Sequence, residues 1–190
     1  MRGRPRTLSR YAARVIVVGF LGAPGRDGEL ALAVARRAAA TGARVEMVGV
    51  AAPDARGDAL LLQLAAAGVG HATVVRSGAD ALDAADLDLA LHYLPDIRAI
   101  ALVGPDAALL SPAAAESGWS GAGLVLVASK GDAPDTSTAP NAIVLDPPSS
   151  DPDGTFAGLV AALTVRLDAG QDPAAAWKAT ANALAVDPVS

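Results

Sequence analysis

Arg14-Val15-Ile16-Val17-Val18-Gly19-Phe20 is a short, largely β-branched run, and the glycine-rich loop Leu21-Gly22-Ala23-Pro24-Gly25-Arg26-Asp27-Gly28 follows it. A brief apolar run of this kind suits a parallel strand covered on both faces. From Glu29 to Ala40 the residues are strong helix formers, and Gly42 supplies a stop. Arg44 to Val50 reads as a second strand. Asp54-Ala55-Arg56-Gly57-Asp58 opens a helix over Ala59 to Ala67 that Gly68 ends, and His71 to Arg76 reads as a third strand. This β-α-β-α-β alternation predicts parallel strands joined by right-handed crossovers.

The pattern continues outward. A helix is expected from Asp83 to about Tyr93, ended by Pro95. Ile97 to Gly104 follows as a strand, Asp106 to Ser117 as a helix and Gly123 to Ala128 as a fifth strand. Asp132 to Asn141 is rich in proline and threonine and reads as an irregular loop. Ala142 to Asp146 makes a short sixth strand that Pro147-Pro148 terminates. A chain of 190 residues with 52% apolar content can bury a core of its own, so residues 14–190 are expected to form one domain. The predicted class is α/β, a three-layer α/β/α sandwich with a mostly parallel sheet.

Residues 1–13 form a basic arm. Arg2, Arg4, Arg6, Arg10 and Arg14 occur before any acidic residue, which leaves ten basic residues against 20 acidic ones in the remainder. An acidic body argues against a nucleic-acid-binding domain, and the arm reads as a solvated terminus. No stretch of about 18 uncharged apolar residues occurs, so no membrane span is expected. The absence of cysteine excludes disulfides, thiolate metal sites and cysteine nucleophiles. The opening lacks the apolar core of a signal peptide, so a cytoplasmic location is expected.

Near the C-terminus, Ser149-Ser150-Asp151-Pro152-Asp153-Gly154 is a turn opening onto Thr155-Phe156-Ala157-Gly158-Leu159-Val160-Ala161-Ala162-Leu163, which has helical spacing. A closing helix runs from Pro173 to about Val186, with Asp172 placed to cap it. This pair resembles the C-terminal signature of the ribokinase family, the PfkB-type carbohydrate kinases, in which a Gly-Ala-Gly-Asp turn precedes a Phe-containing helix. Thr155-Phe156-Ala157-Gly158 falls in register with it. Gly154 then stands in the slot of the catalytic aspartate and Asp153 in that of the preceding glycine. The stretch Thr41-Gly42-Ala43-Arg44-Val45-Glu46-Met47-Val48-Gly49, then Asp54-x-x-Gly57 and Leu64-x-x-x-Gly68-Val69, is similar to the family's N-terminal half. The family's sugar-binding Gly-Gly-x-x-x-Asn turn corresponds to Gly28 to Ala33, so Ala33 replaces the asparagine. The chain is also much shorter than family members, which the resemblance reads as a missing β-stranded lid.

The resemblance implies an ATP- and magnesium-dependent sugar kinase frame and points to particular residues. Gly22, Asp54, Gly154 and Thr155 are the candidate anion- or substrate-binding residues. Lys130 and Gly131 lie where family members place nucleotide-facing loops, and Asp153 is the candidate for a displaced catalytic base. The physical chemistry of the turn runs against phosphate. A helix N-terminus attracts anions through its free N–H groups, yet Pro152 removes a donor while Asp151 and Asp153 add negative charge. Asp151 or Asp153 as a helix cap is the simpler expectation. Gly19, Gly22, Gly25 and Gly28 recur every third residue, which is not the G-x-G-x-x-G dinucleotide fingerprint. His71 and His92 lack metal-ligand spacing, and neither a P-loop nor a G-x-S-x-G elbow occurs. The sequence therefore predicts a ribokinase-like protein without phosphotransferase activity, binding a small molecule or a protein partner and self-associating. The alternative is an active ATP- and magnesium-dependent carbohydrate or nucleoside kinase.

Overall fold

The computed structural model describes residues 14–19, 26–78, 82–104, 107–129, 131 and 135–185. Among them the chain alternates β1 (Arg14–Val18), α1 (Arg26–Ala40), β2 (Arg44–Ala51), α2 (Ala55–Ala66), β3 (Gly70–Arg76), α3 (Ala84–Tyr93), β4 (Ile97–Val103), α4 (Ala107–Ser120), β5 (Gly123–Val127) and β6 (Ile143–Leu145). Helices α5 (Thr155–Asp168) and α6 (Pro173–Ala185) close the fold. All five strand pairings are parallel, in the order β3-β2-β1-β4-β5-β6.

The apolar runs of the strands feed two cores. Val15 and Val17 face one side and join Val34 of α1, Leu64 of α2 and Val160 and Leu163 of α5. Ile16 and Val18 face the other side and join Leu87 and Leu91 of α3 and Leu109 and Leu110 of α4. The period-2 geometry of a strand makes this division, and it yields the expected three-layer α/β/α sandwich.

Strand order reverses between β1 and β4, and crevices at such switch points, beyond the carboxyl ends of the strands, hold ligands in open α/β sheets. At this edge Gly19 follows β1 with no room for a side chain. A Cβ there would lie 2.3 Å from that of Ala31, so glycine is what lets α1 settle onto the strand.

Three helix boundaries differ from the sequence expectation by more than one residue, each for a local reason. Helix α1 starts at Arg26 rather than Glu29, with Asp27 and Glu29 in its first turn, where acidic side chains oppose the helix dipole. Helix α2 starts at Ala55 rather than Ala59, because the Asp54 carboxylate accepts hydrogen bonds from the Arg56 and Gly57 amides at 2.9 and 3.0 Å. Helix α4 continues past Ser117 to Ser120 and ends at Gly121, whose φ of 73° lies in the left-handed region. Gly118 does not stop it, since one interior glycine costs only about 1 kcal/mol relative to alanine. Asp172 caps α6 as expected, accepting from the Ala174 and Ala175 amides. Among its described residues, the irregular loop before β6 contains a 3-10 turn, Thr136–Thr138. Among the described residues no helix is long and apolar enough to cross a membrane.

Candidate functional site

After β6, at one edge of the sheet, Pro147 to Gly154 bring the chain back across the fold so that α5 packs against α1. Asp151 to Gly154 form a turn closed by a hydrogen bond from the Gly154 amide to the Asp151 carbonyl, 3.1 Å. Gly154 is the N-cap of α5, with φ 66° and ψ 23°, a left-handed conformation that glycine adopts without steric cost. It contributes no side-chain cap. The Asp151 carboxylate does that work from outside the helix, accepting from the Phe156 amide at 3.0 Å through Oδ1 and from the Ala157 amide at 2.9 Å through Oδ2. The capping reading of this turn therefore holds for Asp151.

Arg37, near the end of α1, reaches across to the same turn. Its Nη2 donates to the Asp153 carbonyl at 3.0 Å, and a Cβ on Gly154 would come within 2.2 Å of that nitrogen. The guanidinium meets the turn's backbone, and the Asp153 side chain remains exposed to solvent.

Beside the turn lies a cavity of about 190 Å³. Glu29, Leu30 and Ala33 of α1 form one wall. Pro147, Pro148, Asp151, Gly154 and Phe156 form the other. Ala33 and Gly154, which the sequence resemblance places in the sugar-binding and catalytic slots, thus face one cavity from two elements 121 positions apart in the chain. Thr155 and Asp153 flank Gly154 in the same turn, and both are exposed.

The remaining candidates scatter. Asp54 is at the β2–α2 turn, spent on capping, and it is not part of the cavity wall. The Gly57 amide is the main influence holding its carboxyl below the ordinary value of 3.8, with smaller help from Arg56 and Arg76. Arg76 Nη2 donates to the Asp54 carbonyl and pairs with Asp58, so this corner is a self-contained network. Gly131 is exposed in the loop after β5. Gly22, Lys130 and the basic arm 1–13 lie outside the described residues.

Sequence reasoning missed Arg37 and Glu29. A signal existed, since Glu29, Ala33 and Arg37 recur every fourth residue and lie on one stripe of α1. Among the described residues no three His, Asp or Glu side chains gather as a possible metal site. A phosphate at the start of α5 would need its free amides, and Asp151 already engages those of Phe156 and Ala157. The residues present do not fit a nucleotide phosphate there, and no step through ATP or magnesium is derived.

No protein-family model matches the sequence, and no curated protein matches it. Solved structures share the architecture. The chain is similar to a putative ribokinase II from E. coli, crystallised in complex with ATP and Mg2+, at 13% identity and a TM-score of 0.59, covering 88% of this chain and 90% of that one. It is also similar to a ribokinase from Giardia lamblia at 13% identity and a TM-score of 0.50, over 66% of this chain and 55% of that one. These likenesses show the fold, which is ribokinase-like.

Proposed function

We propose that this chain is a ribokinase-like protein that has lost phosphotransferase activity and uses the cavity between α1 and the α5 turn to hold a small molecule. The observation that carries the reading is the Asp151 carboxylate on the α5 amides, where the resembled family presents free donors to phosphate. General-base help is worth about 10²–10⁴ in rate. Loss of an oxyanion-type donor costs about 10²–10³. Gly154 offers no base, and the methyl of Ala33 cannot hydrogen-bond a sugar hydroxyl.

The test is ATP-dependent phosphorylation of ribose, fructose 6-phosphate and nucleosides, with turnover expected at background. Thermal shifts with ATP, ADP and sugars run alongside, since a ligand at 100 times its Kd stabilises by about 2.7 kcal/mol. A sugar that shifts the melting temperature without turnover supports the binding role. Robust phosphorylation by the wild type, abolished by Asp153→Ala, would instead establish the active kinase with Asp153 as its base and ATP and magnesium as its requirements. The exposure of Asp153 one residue before Gly154 is what makes that variant the decisive one.

A further inference from the structure

Helices α3 and α4 lie side by side on one face of the sheet, and their last turns expose aromatic side chains. Trp119 on α4 is 88% exposed, and Tyr93, the last residue of α3, is 75% exposed. Leu89, one turn before Tyr93, is exposed too. The chain has only two tryptophans and two tyrosines, so one of each is left in solvent here. Single exposed apolar residues are ordinary, whereas large ones gathered in one place mark an interaction surface. Both helices connect parallel strands, so both end where the strands begin.

His92 shows that the two helix ends are neighbours. Its pKa is raised above the ordinary 6.5 by the hydrogen bond with the Asp88 carbonyl, then by the Asp88 charge, with a smaller push from Glu116 on α4. Trp119 lies three positions past Glu116, on the same side of that helix. The patch is acidic as well as aromatic. Asp88 and Glu116 flank it on the helices, Asp96 follows three positions after Tyr93, and neither helix contains a lysine or an arginine. A second copy presenting the same face would set carboxylate against carboxylate. The complement is an arginine-rich segment, because a guanidinium both pairs with carboxylates and stacks on aromatic rings.

Such a segment joins the fold beside the patch. Arg14, the first residue of β1, pairs with Ile97 of β4, four positions after Tyr93. The 13 residues before Arg14 contain Arg2, Arg4, Arg6 and Arg10 and no acidic residue. Neighbouring helix axes are about 8–10 Å apart and an extended chain covers about 3.3–3.6 Å per residue, so this length is ample to cross both helices. We propose that the arm, residues 1–13, docks across the last turns of α3 and α4 of its own chain, its arginines on Asp88, Asp96 and Glu116 and stacked on Tyr93 and Trp119. The sequence by itself reads the arm as solvated, and the acidic aromatic face is what gives it a partner. This docking is independent of the cavity at the α5 turn and of the lost phosphotransferase activity.

Fluorescence of the full chain carrying Trp177→Phe tests it, since Trp119 is then the only tryptophan. Acrylamide should quench Trp119 at least about twofold more strongly once Arg2→Gln, Arg4→Gln, Arg6→Gln and Arg10→Gln are introduced together. Sodium chloride at about 1 M, where the Debye length is about 3 Å, should raise quenching of the parent to the level of this arm variant and leave the variant unchanged. Asp88→Asn with Glu116→Gln should expose Trp119 in the same way at low salt. Matching far-UV circular dichroism and melting curves hold the fold constant across the variants. With Trp177 retained, the difference between the two arms remains readable, because that residue is common to both. Equal quenching of the parent and the arm variant at low salt overturns the proposal. Protection lost on dilution, with a dimer in light scattering that the arm variant lacks, puts the arm on a second copy and overturns docking within one chain.

Discussion

Asp151 and Gly154 show how residues that read as damage to a catalytic signature make a stable turn. Asp151→Ala removes the acceptor for two amides and should cost about 0.5–2 kcal/mol in urea unfolding. A carboxylate held a few residues away acts at an effective concentration of roughly millimolar or above, so Asp151 competes with any external anion for these two amides. Inorganic phosphate should therefore stabilise Asp151→Ala more than wild type, and equal shifts in the two would refute the competition. Moving the aspartate back into its family slot, by Asp153→Gly with Gly154→Asp, should lower stability by about 1–3 kcal/mol without creating activity, because the new side chain must adopt φ 66° against Arg37. A phosphorylation assay with ribose and a melting curve check both halves. At the β2–α2 turn, the lowered pKa of Asp54 gives a contribution to stability that is complete above the ordinary carboxyl value and lost as pH falls through the folded value. Urea midpoints of wild type and Asp54→Asn, compared from pH 7 to pH 2, should converge on the acid side. A gap that stays constant over that range would refute the role of this carboxylate.

Among the elements, α4 is the one whose sequence argues least for a helix, since Pro112 sits inside it. A proline in a helix interior costs up to about 3 kcal/mol relative to alanine. Pro112→Ala should therefore raise the urea midpoint while leaving the slope unchanged, and a lower midpoint would mean that the ring itself is needed where α4 packs on α3. The strands were legible because buried parallel strands are short β-branched runs, and Arg14 to Val18 and Ile97 to Val103 are clear cases. The start of α2 was misread because Arg56, Gly57 and Asp58 resemble a turn until the Asp54 carboxylate is seen to hold the amides of Arg56 and Gly57. The slip at which β1 pairs Arg14 with Ile97 and then Val15 with Ala99 left no trace in the sequence, since it depends on the register of two strands far apart in the chain. The α5 turn was legible as a cap and illegible as a meeting point with Arg37, for the same reason.

At the scale of the whole molecule, the sheet ends in two unequal open edges. β6 has three residues, with Pro140 just before it and Pro147 just after it, both unfavourable for further pairing. β3 has seven residues without proline. Self-association is therefore expected to use β3, as a dimer of twice the 18.8 kDa chain mass in light scattering, and a monomer at high concentration would refute it. Order within the sheet has a further consequence, for synthesis. The strands divide into β3-β2-β1, all from the first part of the chain, and β4-β5-β6, all from the second, and among the described residues the halves are joined by the ladder of β1 with β4. On the ribosome the first half emerges with one side of β1 unpaired. Ile16, Val17 and Val18, at most 2% exposed in the finished protein, remain uncovered on that side until β4 and the helices after it have been made. The central seam thus cannot close until β4 has emerged, and nascent chains interrupted before Val103 are expected to carry an open apolar edge that favours aggregation.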